Sequence, residues 1–316
     1  KWMKKVVFAI LFILFPVITQ AQESRTDYNF LRLPMSAHAA ALGGDNITII
    51  EDDPTLIFHN PALISSVSDK SINLNYMTYM EGVKTASASF VRMAGEKATW
   101  GVSAQYMDYG TMKEMTPDNI QTGTFSAKDI MVGGTFAYTL TDKLAGGVTG
   151  KFITSAIGGY NSVAVGVDLG LNYYSPENEL SISAVARNLG GQVKAFDDEF
   201  EKIPFDLQIG ISKKLGNAPL RFSATMTGLN NWEGRFADHF VVGADVMITS
   251  NIYIAGGYNF RRVKEMKVPE EEGESSHGAG LSIGAGLQLE RFKMQMAYAK
   301  YHVSSTSLLF NVTYTL

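Results

Sequence analysis

The stretch Thr306–Leu316 constrains this chain more than any other. Leu308, Phe310, Val312, Tyr314 and Leu316 are apolar, while Ser307, Asn311, Thr313 and Thr315 fall between them, with Leu309 the exception. A period of two means that one face of a strand meets an apolar medium and the other a polar one. Such a strand also carries a row of N–H and C=O groups along each edge. In lipid each unsatisfied group costs several kcal/mol, so the edge must pair. The natural partner is the first strand of the same chain, and that pairing closes a barrel.

The alternation recurs. Candidate strands cover 71–80, 83–92, 98–108, 128–140, 143–155, 162–174, 179–190, 205–213, 219–229, 239–248, 251–262, 279–289, 291–302 and 306–316. That makes about 14, and single-chain bacterial barrels have even numbers. At about 3.3 Å per residue and a tilt near 45°, ten residues rise roughly 24 Å, close to the apolar band of an outer membrane. In 162–174, Val163, Val165, Val167, Leu169, Leu171 and Tyr173 share one face, and Ala164, Gly166, Asp168, Gly170 and Asn172 the other. The strands at 205–213 and 239–248 divide in the same way. The second face is polar but also small, with few Lys or Glu. A soluble sandwich would instead turn large apolar residues inward and long charged ones outward. The sequence therefore predicts an all-β, transmembrane, antiparallel barrel whose lumen has room for a filler.

Residues 22–68 do not alternate. They carry Leu33-Pro34, a small-residue run from Ser36 to Gly44, Asp52-Asp53-Pro54 and Asn60-Pro61-Ala62. Ser36 to Leu42 fits a helical turn that Gly43-Gly44 would end. This segment is expected to be an N-terminal hatch or plug, with the barrel over 69–316. The glycines at 166, 170, 280 and 284 would let such a plug approach the wall or let the strands curve. Before it, Lys1, Lys4 and Lys5, the apolar run 6–18 and Thr19-Gln20-Ala21 predict a signal peptide over 1–21.

Short turns at 95–97, 141–142, 175–178, 216–218, 249–251 and 290–291 alternate with connections at 109–127, 191–204, 230–238 and 263–278 that are long and charged, although two more on the second side, 81–82 and 303–305, are short. Short turns on one rim and long loops on the other match the periplasmic and extracellular ends of a barrel. Phe196, Asp197, Asp198 and Phe200 in one long loop, with Trp232 and Arg235 in the next, mix charge and aromatic rings as partner-binding surfaces do. Tyr76, Tyr79, Tyr106, Tyr109, Tyr138, Tyr173, Tyr258, Phe260, Phe292, Tyr298, Tyr301 and Tyr314 lie near strand ends and are expected to form headgroup-level girdles.

Catalytic chemistry is hard to find. His38, His59, His239, His277 and His302 lack metal-ligand spacing. There is no nucleophile elbow, no phosphate-cradling loop and no Cys. The acidic run Glu270-Glu271-Glu272 with Glu274 lacks the spacing of a calcium loop. No catalytic, metal or cofactor residues are expected. The net charge of −4 and a pI of about 5.8 argue against a nucleic-acid partner.

Phe30-Leu31-Arg32-Leu33-Pro34, Ala39-Ala40-Ala41-Leu42-Gly43-Gly44, Asp52-Asp53-Pro54 and Asn60-Pro61-Ala62-Leu63 together resemble the N-terminal hatch of the FadL-like outer-membrane barrels. Val185-Ala186-Arg187-Asn188-Leu189-Gly190-Gly191 also recurs in that group. Within it, residues 22–316 are similar to the barrel of the type IX secretion system attachment complex. That resemblance implies a 14-stranded barrel with a hatch whose motif is Ala41, Leu42, Gly43, Gly44, Asn60, Pro61 and Ala62. It implies a non-enzymatic role, anchoring a PorZ-like surface protein beside a PorU-like sortase and a PorV-like barrel. A FadL-type conduit for hydrophobic molecules is the competing expectation, and would need an apolar pocket and a lateral opening or hatch kink. A surface hydrolase would need inward Ser, His and Asp within hydrogen-bond reach.

Overall fold

The computed structural model describes residues 28–316 except 81, 117, 119, 217, 233, 267, 271, 272, 276, 277, 303 and 304. The expected signal peptide over 1–21 lies outside the described residues, as do His277, Glu271 and Glu272.

Strands form where the alternation was read. They are β1 (Ser71–Thr78), β2 (Lys84–Ala94), β3 (Ala98–Met115), β4 (Gln121–Thr141), β5 (Leu144–Ile157), β6 (Tyr160–Ser175) and β7 (Leu180–Lys194). Then come β8 (Asp206–Lys214), β9 (Leu220–Met226), β10 (Phe240–Met247) and β11 (Ile252–Asn259). A small separate hairpin, β12 (Val268–Glu270) with β13 (Gly273–Ser275), precedes β14 (Leu281–Gln288), β15 (Phe292–His302) and β16 (Ser305–Thr315). Every barrel strand is antiparallel to its neighbours, and β11 pairs with β14. β1 pairs with β16 from Ser71↔Thr315 to Met77↔Leu309, which closes a 14-stranded cylinder.

Burial is inverted relative to a soluble protein. In β1, Ser71, Asn73 and Asn75 are at most 4% exposed, whereas Ile72 is 41% and Leu74 60% exposed. In β6 Asp168 is buried while Val165, Val167, Leu169 and Leu171 face outward. A large apolar side chain gains roughly 1.5–3 kcal/mol by leaving water. These side chains make that gain in lipid, because none of the described residues covers them. Among the described residues no helix is long and apolar enough to cross a membrane, so the strands do the crossing.

The lumen is filled by 28–68. Tyr28, Phe30, Met35, Leu56, Ile57 and Leu63 are all but inaccessible inside the cylinder. This segment folds as short helical pieces, and three of them start on a polar cap. Ser36 accepts from Ala39 N at the turn Ala37–Ala41, Asp53 caps Pro54–Phe58, and Asn60 caps Pro61–Ser66. Asn75 and Asn311 both donate to the Met35 carbonyl, which ties this segment to the β1–β16 seam.

Several boundaries differ from expectation. The connection at 109–127 is mostly strand, because β3 and β4 stay paired from Thr111↔Ser126 to Met115↔Gln121 beyond the cylinder. The strand expected over 251–262 stops at Asn259. The side chain of Asn259 accepts from Arg262 N and starts a helix at Phe260–Glu265. Of the expected girdle rings, Tyr76, Tyr106, Tyr138, Tyr173, Phe260, Tyr298 and Tyr314 are exposed on the outer wall. Tyr79, Tyr109 and Tyr301 turn inward instead. Tyr79 packs on the lumen core, Tyr109 donates to Asp129, and Tyr301 lies under the Arg262 guanidinium.

Candidate functional site

Two cross-strand glycine pairs cut notches into the lumen wall, and the two quoted motifs sit in them. Gly147 of β5 is the register partner of Gly170 of β6. A Cβ on Gly147 would lie 2.5 Å from the Pro61 carbonyl carbon and 2.7 Å from Ala62 N. A Cβ on Gly170 would overlap the Asn60 side chain and reach 2.9 Å from Pro61 Cδ. Asn60 bridges the site, accepting from Ala62 N while its amide donates to Ile47 O at 3.1 Å and Leu171 O at 3.4 Å. On the far wall Gly243 of β10 pairs with Gly257 of β11. Cβ atoms there would come within 2.8 Å of Leu42 Cδ2 and 2.7 Å of the Leu42 carbonyl oxygen. Gly284 does the same for Ala41, at 2.7 Å from its Cβ. Gly43 and Gly44 take φ of +108° and +105°, and their N–H groups close the turn onto Ala40 and Ala39 carbonyls. Only glycine adopts such φ without strain.

Charge holds the segment as well as shape. On the short-turn side, His38 Nδ1 lies 3.1 Å from Glu51 Oε1 and its Nε2 3.5 Å from Asp245 Oδ2. Arg221 Nε donates to Asp245 at 2.8 Å, Lys293 Nζ to Glu51 at 2.7 Å, and Tyr253 stacks on the His38 ring at 4.0 Å. Burial pulls the His38 pKa down, but the Glu51 carboxylate and the bonds to Asp245 and Glu51 outweigh it and leave it raised. Burial pushes Glu51 up, yet Lys293 and His38 hold it well below the usual carboxylate range. His59 is the opposite case. Burial, helped by Arg187 and Lys151, pushes it down to about 3, and its Nε2 accepts from Ser36 N. It is therefore neutral, and neither hatch histidine is paired with a hydroxyl.

Opposite this cluster, the run Val185–Gly191 forms a bulge in β7. The register passes from Val167↔Leu189 to Leu169↔Ala186, so Arg187 and Asn188 share one opposing residue, Asp168. Asn188 takes φ of +58°, its N–H donates to Asp168 Oδ1 at 2.7 Å, and its side-chain Oδ1 accepts from Lys151 Nζ at 2.8 Å. Lys151 and Asp168 are a buried ion pair at 2.6 Å. The bulge aims Arg187 inward, where Nη2 donates to Leu31 O at 3.2 Å and Nη1 lies 3.9 Å from Asp45.

A cavity lies on each side of the filled lumen. The cavity toward the long-loop rim has about 400 Å³ and is lined by Arg32, Arg187, Arg261 and Arg262, by Asp45, Asp206 and Glu265, by Asn and Tyr side chains, and by the apolar Leu31, Leu33, Pro204 and Met266. The other, of about 200 Å³, opens between the short turns beside the His38 cluster. Neither is an apolar passage. Among the described residues no group of three or more His, Cys, Asp or Glu is arranged to hold a metal.

The expected partner-binding residues all lie on the long-loop rim. Phe200 and Trp232 are 66% and 56% exposed, and Asp197 and Asp198 are exposed beside the half-buried Phe196. Arg235 is exposed and bonds to Asp238 at 3.0 Å. Asn230 ties the two loops together, donating to Phe205 O and accepting from Leu207 N. Trp232 stacks on Phe236 with ring centroids 6.3 Å apart. The charged lumen residues Arg187, Arg221, Lys293 and Glu51 were not singled out as site residues. Their signal was present in the strand parity, since Arg221, Asp245 and Lys293 all fall on the inward face.

No protein-family profile matches the chain, and no curated relative does. Solved structures do resemble it. The toluene transporter TodX of Pseudomonas putida is 12% identical at a TM-score of 0.56, covering 88% of this chain and 96% of that one. The CymD monoaromatic hydrocarbon channel is 12% identical at 0.56, covering 92% and 98%. A FadL homologue of Pseudomonas aeruginosa is 10% identical at 0.55, covering 88% and 98%. At such identities the likeness is one of architecture, and the chain has the fold of the FadL-type outer-membrane barrels.

Proposed function

We propose that this chain is a non-enzymatic, PorQ-like outer-membrane barrel of the type IX secretion attachment complex. In this reading residues 28–68 act as a hatch that keeps the barrel shut, and the long-loop rim faces outward. The rim holds a PorZ-like surface protein through Phe196–Phe200, Trp232 and Arg235, with a PorU-like sortase and a PorV-like barrel in the same assembly. One observation carries the reading. The lumen is packed by a segment seated against five wall glycines, and the spaces beside it carry buried charged side chains among apolar ones. A conduit for apolar solutes would spend several kcal/mol moving them past buried guanidinium and carboxylate groups without pairing those groups. The test is affinity purification from detergent-solubilised outer membranes of the parent organism. A PorZ-like surface protein should copurify, and Phe200→Ser with Trp232→Ala should abolish its recovery while leaving the barrel in the membrane. Recovery of the barrel alone from wild-type membranes would reject the scaffold.

The fold shared with TodX and CymD favours a second reading, a FadL-type channel for hydrophobic molecules. Uptake of labelled toluene or fatty acid by whole cells separates the two. The scaffold reading expects uptake to be the same with and without the gene, and a channel expects it to fall on deletion.

A further inference from the structure

The cavity on the long-loop side has the chemistry of a binding site. Its floor is the hatch, at Asn29, Leu33-Pro34 and Gly44-Asp45, and its walls are the upper ends of β7, β8, β11 and β15. Four guanidinium groups face three carboxylates. The carboxylates are largely engaged. Asp206 accepts from Gly228 N at 2.6 Å and from the Gln208 amide at 2.6 Å, and Glu265 is bonded to Arg261 at 2.9 Å. Asp45 accepts from the Asn259 amide at 3.2 Å and lies 3.9 Å from Arg187 Nη1. Arg262 and Arg187 are held mainly by uncharged acceptors. Arg262 donates to the carbonyls of Gly43, Ala279, Gly280 and Leu281 and to Ser282 Oγ, and among the described residues has no carboxylate within ion-pair distance. Arg187 is only 6% exposed, and among the described residues its Nε has no hydrogen-bond partner. A buried charged donor without a partner costs more than a typical hydrogen bond gains, and it marks a place for a missing acceptor.

The rest of the lining suits hydroxyl groups. Asn29 and Thr227 line the cavity beside the amides of Asn188 and Asn259, which are bonded to Pro204 O and Gly43 O, and Tyr79 and His302 stand edge to face, 6.1 Å apart. A volume of about 400 Å³ exceeds what a bare inorganic anion fills and lies within the range of small-molecule pockets. We propose that this cavity binds a polyhydroxylated oxyanion, a sugar ring bearing a carboxylate or a phosphate, with Arg187 and Arg261 forking onto the anionic group. A guanidinium fork matches either oxyanion in two parallel bonds. The site is distinct from the rim aromatics of the scaffold reading and does not depend on them.

The experiment is titration calorimetry on the purified full chain in detergent micelles, with glucuronate, glucose 6-phosphate and glucose as probes. At least one anion should bind, and glucose should bind at least tenfold more weakly. Whichever anion wins identifies the source as a uronic acid or a sugar phosphate. Arg261→Gln and Arg187→Gln should each weaken that anion at least tenfold, while Gly134→Ala on the outer wall should leave it unchanged. Arg187 also holds the Leu31 carbonyl, so Arg261→Gln decides the matter if Arg187→Gln does not fold. Failure of both anions to bind would overturn the proposal. So would glucose binding as well as the winning anion, or Arg261→Gln binding like wild type.

Discussion

Gly147→Ala isolates the seating of the hatch from everything else in the barrel. The added methyl would stand 2.5 Å from Pro61 C, 2.6 Å from Pro61 O and 2.7 Å from Ala62 N. All three are main-chain atoms, so no rotamer change relieves the overlap. An ordinary contact needs about 3.4 Å or more, which requires the Asn60–Ala62 turn to retreat by roughly 0.9 Å. Asn60 resists that movement through its bonds to Ile47 O and Leu171 O. Overpacking of this kind costs about 1–3 kcal/mol. At 1.4 kcal/mol per tenfold, the undocked population should rise roughly 5- to 150-fold. Gly134→Ala is the matched control, since a Cβ there meets nothing within 4 Å. The assay is limited proteolysis in micelles with thermolysin, whose apolar cleavage sites at Leu56, Ile57 and Leu63 are buried when the hatch is docked. Where reclosing outpaces cleavage, the rate follows the open population. Gly147→Ala should be cut within 28–68 at least fivefold faster than wild type, and Gly134→Ala at the wild-type rate. Equal rates for all three would refute the notch as the seat of the hatch.

The two hatch histidines set opposite pH limbs. His38 has a raised pKa, so its contribution is complete below about 6.5 and is lost as pH rises through its folded value. His59 is held neutral, with a folded value of about 3, so stability falls as pH drops below 6.5 and the unfolded chain takes up the proton. Each limb can slope by at most about 1.4 kcal/mol per pH unit. Thermal melts from pH 4 to 9 should flatten above 6.5 in His38→Gln and below 6.5 in His59→Gln, and unchanged limbs would contradict both assignments. Lys151→Met strands the Asp168 carboxylate in the lumen and should lower stability by about 3–5 kcal/mol, with Lys151→Met/Asp168→Leu recovering part of it in urea melts. Trp232→Ala removes a stacked exposed ring, so it should leave the melting temperature within a degree or two while weakening partner recovery.

The architecture was legible because lipid imposes a rule on every spanning residue. Val165, Leu169 and Leu171 had to face out and Asp168 had to face in, and period two records that in the chain itself. The closure of β16 on β1 followed from the need to satisfy an edge. Where lipid stops acting, the reading weakened. The β3–β4 ribbon above the cylinder was taken for a loop because its outer side chains no longer need to be apolar. Tyr79, Tyr109 and Tyr301 were assigned to girdles because a ring near a strand end satisfies either face. The cavity was less legible still. Gly147 and Gly170 become a notch only through strand register, and Arg187 points inward only because of the β7 bulge. Neither is encoded within one strand. Asn188-Leu189-Gly190 carried a trace of it, since φ of +58° and +156° at Asn188 and Gly190 favour those residue types.

The account rests on a barrel wall that faces lipid and a lumen that does not conduct. Single-channel recording of the full chain in planar bilayers tests this most directly. Wild type should insert without steady current steps, and Gly147→Ala should add brief openings of the size expected for an emptied lumen. Stable ohmic conductance from wild type, unaltered by Gly147→Ala, would contradict it.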